Sequence, residues 1–358
     1  MDAIANGLYG IPLLGILFQL GGYLIAIVPP IAPIILRAAT PLALGAMCGV
    51  LCERSGVVNI GIEGIMLAAA FTGWVVGVGL APIIQSSPSP IFGATPVLLI
   101  ALAAALLVAL AIAALHAWLS ITVRADQIIS GTIINIAAFG VTTYLNTIIA
   151  KNSPTSAGAF SAWTPPAAIT DLPVIGWILA MFLAQGPIAM SVLVIVIVFQ
   201  ILLFRSRWGL RTRAVGEHPK AAETVGIDVI RLRYRNVILA GLLAGLAGAF
   251  LSMESTNSFQ AGMTAGRGFI ALAAMIVGRW TPVGALLAAL LFSSFEAIGH
   301  VLSFRPPSGQ LGELMTALPG QFYDALPYVV TIIILAGVVG RSIPPAADGQ
   351  PYEREAAT

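Results

Sequence analysis

Long runs of apolar residues, separated by short polar stretches, make up most of this chain. A helix needs roughly 20 apolar residues to cross the hydrocarbon core of a bilayer. Candidate spans occupy residues 12–28, 33–51, 62–80, 96–119, 128–150, 188–204, 237–252, 268–278, 283–297 and 326–340. The pattern predicts an all-α, polytopic membrane helix bundle of about ten transmembrane helices.

The composition favours a membrane protein over a soluble one. Of 358 residues, 58% are hydrophobic and 9% are charged, whereas soluble domains average about 25% charged residues. We expect residues 1–341 to form a single transmembrane domain and the polar, proline-containing tail, 342–358, to be disordered. Residues 1–10 carry no lysine or arginine, so the first apolar run lacks the basic start of a signal peptide and is expected to stay as a helix.

A basic loop at residues 205–235 sets the predicted orientation. It holds eight of the chain's 17 lysine and arginine residues, against the acidic residues Glu217, Glu223 and Asp228. Because basic loops between spans lie on the cytoplasmic side, alternation of ten spans places both termini there as well. The same scheme puts Arg54, Arg124, Arg279 and Arg341 on the cytoplasmic side. It puts the loops at 85–95, 151–185, 253–267 and 300–325 outside.

Residues 216–226, inside the basic loop, predict a short helix. Pro219 stands near its start and Gly226 at its end, which are the positions that these residue types favour. One ordered helix in the largest cytoplasmic loop indicates a surface that is presented to a partner.

The segment at residues 53–64 breaks the membrane pattern. It contains three glycines, Asn59 and the carboxylates of Glu53 and Glu63. Irregular backbone at membrane depth survives only inside protein or beside a water-filled cavity, so we expect a broken helix in the bundle interior. An ordinary cytoplasmic turn, in which Glu53 pairs with Arg54, explains the same residues.

A second interruption lies at residues 266–284. Its apolar run of about eleven residues, between Arg267 and Arg279, is too short to cross a bilayer and predicts a short or broken helix that lines a path. A polar stretch at 127–135 ends in Asn135, whose amide is costly in lipid and is expected to face the bundle interior.

No catalytic, nucleotide-binding or metal-binding motif is recognisable. Neither lysine, Lys151 or Lys220, follows a glycine, so the chain has no P-loop. Cys48 and Cys52 have no nearby histidine to complete a zinc site. We therefore expect a transport protein rather than an enzyme, with no catalytic residue, no metal site and no cofactor in this chain.

A stand-alone, ion-coupled secondary transporter of small polar solutes is one interpretation of these features. Such a protein works without an ATPase and needs a proton or sodium site inside the membrane. Glu63 and Glu296 are the candidate side chains for that site.

Four segments resemble, in order, the motifs of one family. They are residues 53–67, 129–135, 213–227 and 266–284. The first carries Glu-Arg-Ser-Gly-x-x-Asn-x-Gly-x-Glu-Gly and the last carries Gly-Arg-Trp-x-Pro-x-Gly. They are similar to the permease subunits of ABC importers for nucleosides and simple sugars, in the branch related to ribose and branched-chain amino-acid permeases. The resemblance covers roughly residues 40–340, and His218 stands where asparagine is commoner.

The resemblance implies a set of partners and a location. Residues 1–341 are then one permease domain in the bacterial inner membrane, with both termini cytoplasmic. A cytoplasmic ABC ATPase binds ATP and Mg²⁺, and a second permease subunit, identical or not, completes the pair. An extracytoplasmic binding protein or lipoprotein delivers the substrate. The first motif favours a nucleoside over a simple sugar, while a flavin or a purine derivative stays open.

The resemblance also implies two sets of site residues. The short helix, from about 219 to 225, is expected to dock in a cleft on the ATPase. Its coupling residues are Gly216, Glu217, Pro219, Ala221, Ala222, Glu223 and Gly226. The substrate pathway is expected to run past Asn59, Glu63, Asn135 and Phe269, because a nucleoside needs hydrogen-bonding groups and an apolar or aromatic surface.

Overall fold

A computed structural model describes residues 12–84, 87–150, 158–172, 175–307 and 342–353, isolated positions between 312 and 333, and no side chain before residue 19. These residues form helices and no strand, which confirms the predicted all-α bundle. The helices are α1 (Pro12–Glu53), α2 (Ile62–Leu80), α3 (Pro96–Ala117), α4 (Gln127–Ile149), α5 (Ala167–Thr170), α6 (Ile175–Leu183), α7 (Pro187–Arg205), α8 (Arg207–Glu217), α9 (Pro219–Thr224), α10 (Val229–Phe250), α11 (Arg267–Val277) and α12 (Pro282–Phe304).

Seven helical segments in the described part of the chain are long and apolar enough to cross a membrane. The predicted count of about ten is therefore not confirmed. The predicted spans at 12–28 and 33–51 form one continuous helix, and the predicted span at 268–278 is the 11-residue helix α11. The predicted span at 326–340 lies mostly outside the described residues.

Helix α1 continues through Pro29, Pro30, Pro33 and Pro41, and so through the boundary that was predicted between residues 28 and 33. It is 42 residues long, which corresponds to about 63 Å. Proline is tolerated in membrane helices because neighbouring groups satisfy the backbone that it frees. Ile31 and Ile35, beside these prolines, pack against Ala297 of α12. This packing supports the helix where its own hydrogen bonds are interrupted.

The core is built around α10, which packs against α1, α2 and α3. Small residues make the close crossings: a Cβ atom on Gly241 would lie 2.5 Å from the Cβ of Ala113, and one on Gly245 would lie 2.7 Å from that of Ala109. Gly241 and Gly245, four residues apart, therefore allow α10 and α3 to approach closely.

One end of the bundle collects the basic loop and several other arginines, and we call it the basic end. Arg54 lies 4.0 Å from Glu217 of the loop and donates to the backbone oxygen of Arg279. Arg124 pairs with Glu353, in the segment that packs on the same loop. The arginines predicted to share a side with residues 205–235 are therefore on that side, except Arg341, which lies outside the described residues.

The tail was predicted to be disordered, and the structure shows otherwise for residues 342–353. Tyr352 is buried with Val215, Ala222 and Val229 in a small apolar cluster. The tail lacks helical or strand periodicity, so its sequence resembled a solvated segment, but a few anchoring side chains hold it. Residues 354–358 lie outside the described part of the chain.

Candidate translocation and coupling sites

The chain between α1 and α2 is irregular and buried inside the bundle. Val57, Asn59 and Ile62 are fully buried. Glu53 accepts from the indole nitrogen of Trp280 at 2.5 Å, and Arg54 donates to the backbone oxygen of Trp280 at 3.0 Å. The structure therefore supports the predicted break in the bundle interior over the turn in which Glu53 and Arg54 pair with each other.

Side chains from α3 and α4 satisfy the backbone of this irregular segment at Val58. The Val58 nitrogen donates to Oε1 of Gln127 at 2.7 Å, and the Val58 oxygen lies 3.0 Å from Nε2 of His116. His116 also contacts Ser130 at 3.1 Å. These bonds replace helical ones that the irregular backbone at Val58 lacks.

Asn59 and Asn135 hold the next turn of the same segment. Asn135 accepts from the Gly64 nitrogen at 2.7 Å and donates to the Ile60 oxygen at 3.0 Å. Asn59 accepts from the Gly61 nitrogen at 3.0 Å and has no exposed surface. Both asparagines face the interior, as predicted for Asn135. The amide of Asn135 is bonded to backbone, while the amide nitrogen of Asn59 donates to the Cys52 sulfur at 3.8 Å.

Glu63 caps the short helix α11 from the side of α2. Its two carboxylate oxygens accept from the nitrogens of Gly266 and Gly268, at 2.8 and 2.6 Å. The first amides of a helix have no partner within the helix, and they carry the positive end of its dipole. A carboxylate at this position satisfies both needs. Gly266 has φ of +80°, a left-handed conformation that glycine adopts readily.

Three of the four predicted pathway residues lie around the start of α2. The region formed by Glu63, Asn135, Phe139 and Phe269 is called the inner cleft, after the pathway that was predicted there. Phe269 directly follows Gly268 on α11 and is half-exposed. Phe139, one turn beyond Asn135 on α4, is also half-exposed, and its ring would meet a Cβ on Gly262 at 3.0 Å. The two rings offer apolar surface, while Glu63 and Asn135 hold the backbone around them. The fourth predicted residue, Asn59, lies buried beneath them.

The short helix that was predicted within the basic loop is present as α9 at the basic end. Gly216 and Ala222 are buried, and a Cβ on Gly216 would lie 2.3 Å from the backbone oxygen of Arg54. Ala221 is exposed, and Gly226 ends the helix with φ of +80°. Two of the seven predicted coupling residues, Gly216 and Ala222, are thus packed inside the protein, while Ala221 and Gly226 are exposed.

The predicted coupling residues Glu217, Pro219 and Glu223 face the tail. Glu217 accepts from the nitrogen of Ala346 at 3.1 Å, and Glu223 accepts from the hydroxyl of Tyr352. Pro219 and Glu217 line a cavity between α9 and the tail. Glu217 and Glu223 are therefore bonded to the tail of the same chain, and Pro219 lies beside it.

A buried charge cluster joins the tail to the basic end. Burial raises the pKa of Asp348 to about 6, while Glu53, the Gly349 amide and Arg233 lower it. Arg233 is almost fully buried, and its guanidinium lies 5.9 Å from the Tyr352 ring centre. Charged groups of the tail and of the bundle are thus packed together rather than solvated.

His116, Gln127 and the tail have functions in the fold that were not predicted from the sequence. A histidine inside the apolar run of α3 is costly unless it is bonded, and that cost was the available signal. Nothing in the sequence gave its partner, Val58, which is 58 residues away. In the described residues, no group of three or more His, Cys, Asp or Glu side chains is placed to hold a metal.

Comparison with known proteins decides the family. The model of the branched-chain amino acid transport system permease component matches residues 31–335. The chain belongs to this family. It is a multi-pass membrane permease subunit of an ABC importer, which is a transport component, and the predicted resemblance is confirmed.

Three relatives match along most of the chain. The nucleoside ABC transporter permease protein NupC of Lactococcus lactis is 37% identical over 88% of this chain and 93% of its own length. The guanosine ABC transporter permease protein NupQ of Bacillus subtilis is 36% identical, over 92% and 98%. The putative glucose ABC transporter permease protein TsgC13 of Haloferax volcanii is 32% identical, over 89% and 96%. No solved structure matches the chain significantly.

Proposed function

We propose that this permease subunit carries nucleosides across the membrane. The observation that carries the proposal is the similarity to nucleoside and guanosine permeases over 88% and 92% of the chain. The inner cleft is consistent with such a substrate, because the half-exposed rings of Phe139 and Phe269 offer an apolar face. A simple sugar is the second candidate, because a putative glucose permease is 32% identical.

The proposal includes the partners and the orientation. The basic end faces the cytoplasm by the positive-inside rule, and α9 docks there on an ABC ATPase that binds ATP and Mg²⁺. A second permease subunit faces the inner cleft and closes the pathway. A binding protein or lipoprotein delivers substrate at the opposite end, and the membrane is the bacterial inner membrane.

The pathway is proposed to run past Glu63, Asn135 and Phe269. Glu63 also caps α11, and Asn135 bonds the irregular segment before α2. A movement of α11 or of that segment therefore alters the inner cleft. Asn59 is buried below the inner cleft and affects it indirectly, by holding the turn before α2. Docking of α9 is transmitted to the same region because Gly216 packs against Arg54, at the start of that segment.

Uptake in cells tests the substrate. A host that lacks nucleoside uptake would express this subunit with the transporter subunits encoded beside it. We expect accumulation of labelled guanosine that excess unlabelled nucleoside abolishes and excess glucose does not. Accumulation that only glucose or another sugar competes would overturn the nucleoside proposal and leave the family assignment unchanged.

Gly226→Pro is expected to uncouple the transporter. The Gly226 nitrogen donates to the Glu223 oxygen at 2.8 Å, and its φ is +80°. Proline has no N–H and fixes φ near −65°, so the end of α9 must unwind. We expect at least a tenfold weaker capture of the ATPase by the purified permease.

Gly226→Asn is the matched control, because asparagine keeps the N–H and tolerates positive φ. It is expected to capture the ATPase as the original chain does. Equal capture by the proline variant would refute the docking role of α9.

A further inference from the structure

We propose that the tail at residues 342–353 forms the second wall of the ATPase docking site, opposite α9. This inference rests on the proposed function and adds a surface that the coupling helix alone does not provide. It follows from how the tail is anchored, from the cavity that it encloses and from the place of that cavity at the basic end.

The tail is anchored along its length to four parts of the bundle. Ser342 donates to the backbone oxygen of Ile276, at the end of α11, at 2.9 Å. The Ala347 nitrogen donates to the Gly216 oxygen at 2.9 Å, at the end of α8. Further along, Arg233 of α10 donates to the Gln350 oxygen at 3.0 Å, and Arg124, before α4, pairs with Glu353. Because these four contacts hold it in place, the tail presents a fixed surface to a partner.

Anchoring places the tail beside α9 and leaves a cavity of about 880 Å³ between them. The α9 side contributes Pro219 and Ala221, and the tail side contributes Gln350, Pro351 and Tyr352. The walls mix apolar side chains with charged and amide groups. A groove with such a mixed lining is suited to binding the surface of a soluble protein.

A cavity between α2, α3 and α4 provides a contrast. It measures about 340 Å³ and is lined by alanine, valine, isoleucine, leucine and phenylalanine side chains with two threonines. That lining lies among the apolar helices that face the bilayer. The groove at the basic end lies instead next to the charged residues of α8, α9 and the tail, outside the apolar spans.

The occupant is the ATPase subunit that α9 is proposed to contact. The groove is continuous with α9, because Ala221 belongs both to the helix and to the lining. A partner that seats on α9 therefore meets the tail as well. The tail in turn links that partner to α11 through Ser342, which gives docking a second route to the inner cleft.

Photo-crosslinking tests the groove in the assembled transporter. A benzoylphenylalanine replaces either Gln350, which lines the groove, or Ile343, an exposed tail residue outside the lining. We expect illumination to join the permease to the ATPase at position 350 and not at position 343. Crosslinks at neither position, or equally at both, would overturn the inference.

Affinity measurements in nanodiscs provide the second readout. Tyr352→Ala removes the hydroxyl bond to Glu223 and the apolar anchor among Val215 and Ala222. We expect its Kd for the ATPase to rise at least fivefold, with the thermal unfolding of the bundle unchanged. Gly226→Pro serves as the reference variant. If that reference loses binding and Tyr352→Ala does not, the tail inference fails alone; if neither loses binding, the proposed function of α9 fails as well.

Discussion

Glu63→Ala is expected to lower the initial rate of substrate uptake by at least about tenfold. Both oxygens of this carboxylate accept backbone amides of α11, from Gly266 and Gly268. An amide left without a partner in a buried site costs roughly 1–3 kcal/mol. The start of α11, and Phe269 with it, must therefore shift or fray when the carboxylate is removed.

Two control variants test whether the loss of uptake comes from the loss of the Glu63 cap on α11. Glu63→Gln keeps one good acceptor oxygen, so its uptake is expected between those of the original chain and the alanine variant. Glu296→Gln breaks only a partly exposed pair, 3.8 Å from Arg267, and exposed pairs contribute little. Uptake is measured per amount of folded permease, determined by size-exclusion chromatography. Normal uptake by Glu63→Ala would show that α11 does not depend on this cap.

Gly248→Ala is expected to prevent α10 and α2 from packing as they do. A Cβ at this position would lie 2.0 Å from the backbone oxygen of Met66 and 3.0 Å from the Cβ of Ala69. Backbone cannot move aside as a side chain does, so the helices must separate. Overpacking of this kind typically costs about 1–3 kcal/mol or more. We expect Tm in detergent to fall by roughly 5 °C or more and the folded yield to fall with it.

Gly140→Ala is the matched control for that substitution. Gly140 is also a helix residue, in α4, but no atom lies within 4 Å of its added Cβ. Alanine is favoured over glycine in a helix by roughly 0.5–1 kcal/mol, so Tm is expected to stay level or rise slightly. An equal loss of Tm in both variants would show that α10 and α2 do not pack at Gly248 in this way.

The long helices were predictable from the sequence because each apolar run is a local signal. The two interruptions at 53–64 and 266–284 were predictable for the same reason, since polar groups and glycines cannot remain in lipid as regular helix. The continuity of α1 was not predictable, because prolines mark a boundary in the sequence while contacts with α12 support the helix through them. Those contacts join Ile31 to a residue 266 positions away in the chain.

The candidate site was predictable as a set of residues and not as an arrangement. The polar residues Glu63 and Asn135 could be singled out because they are costly in a membrane. Their partners are backbone groups, which every residue carries, so no sequence motif identifies these partners. The tail was missed because its order depends on Tyr352 filling a space that only the folded loop creates.

The central claim is ATP-driven nucleoside transport through this subunit, and reconstitution tests it most directly. The complete transporter is placed in proteoliposomes with ATP inside or outside and with labelled guanosine bound to its delivery protein. We predict accumulation only when ATP is available to the ATPase, and none with a proton or sodium gradient alone. Accumulation driven by an ion gradient through this subunit without the ATPase would contradict the account and support an ion-coupled secondary transporter.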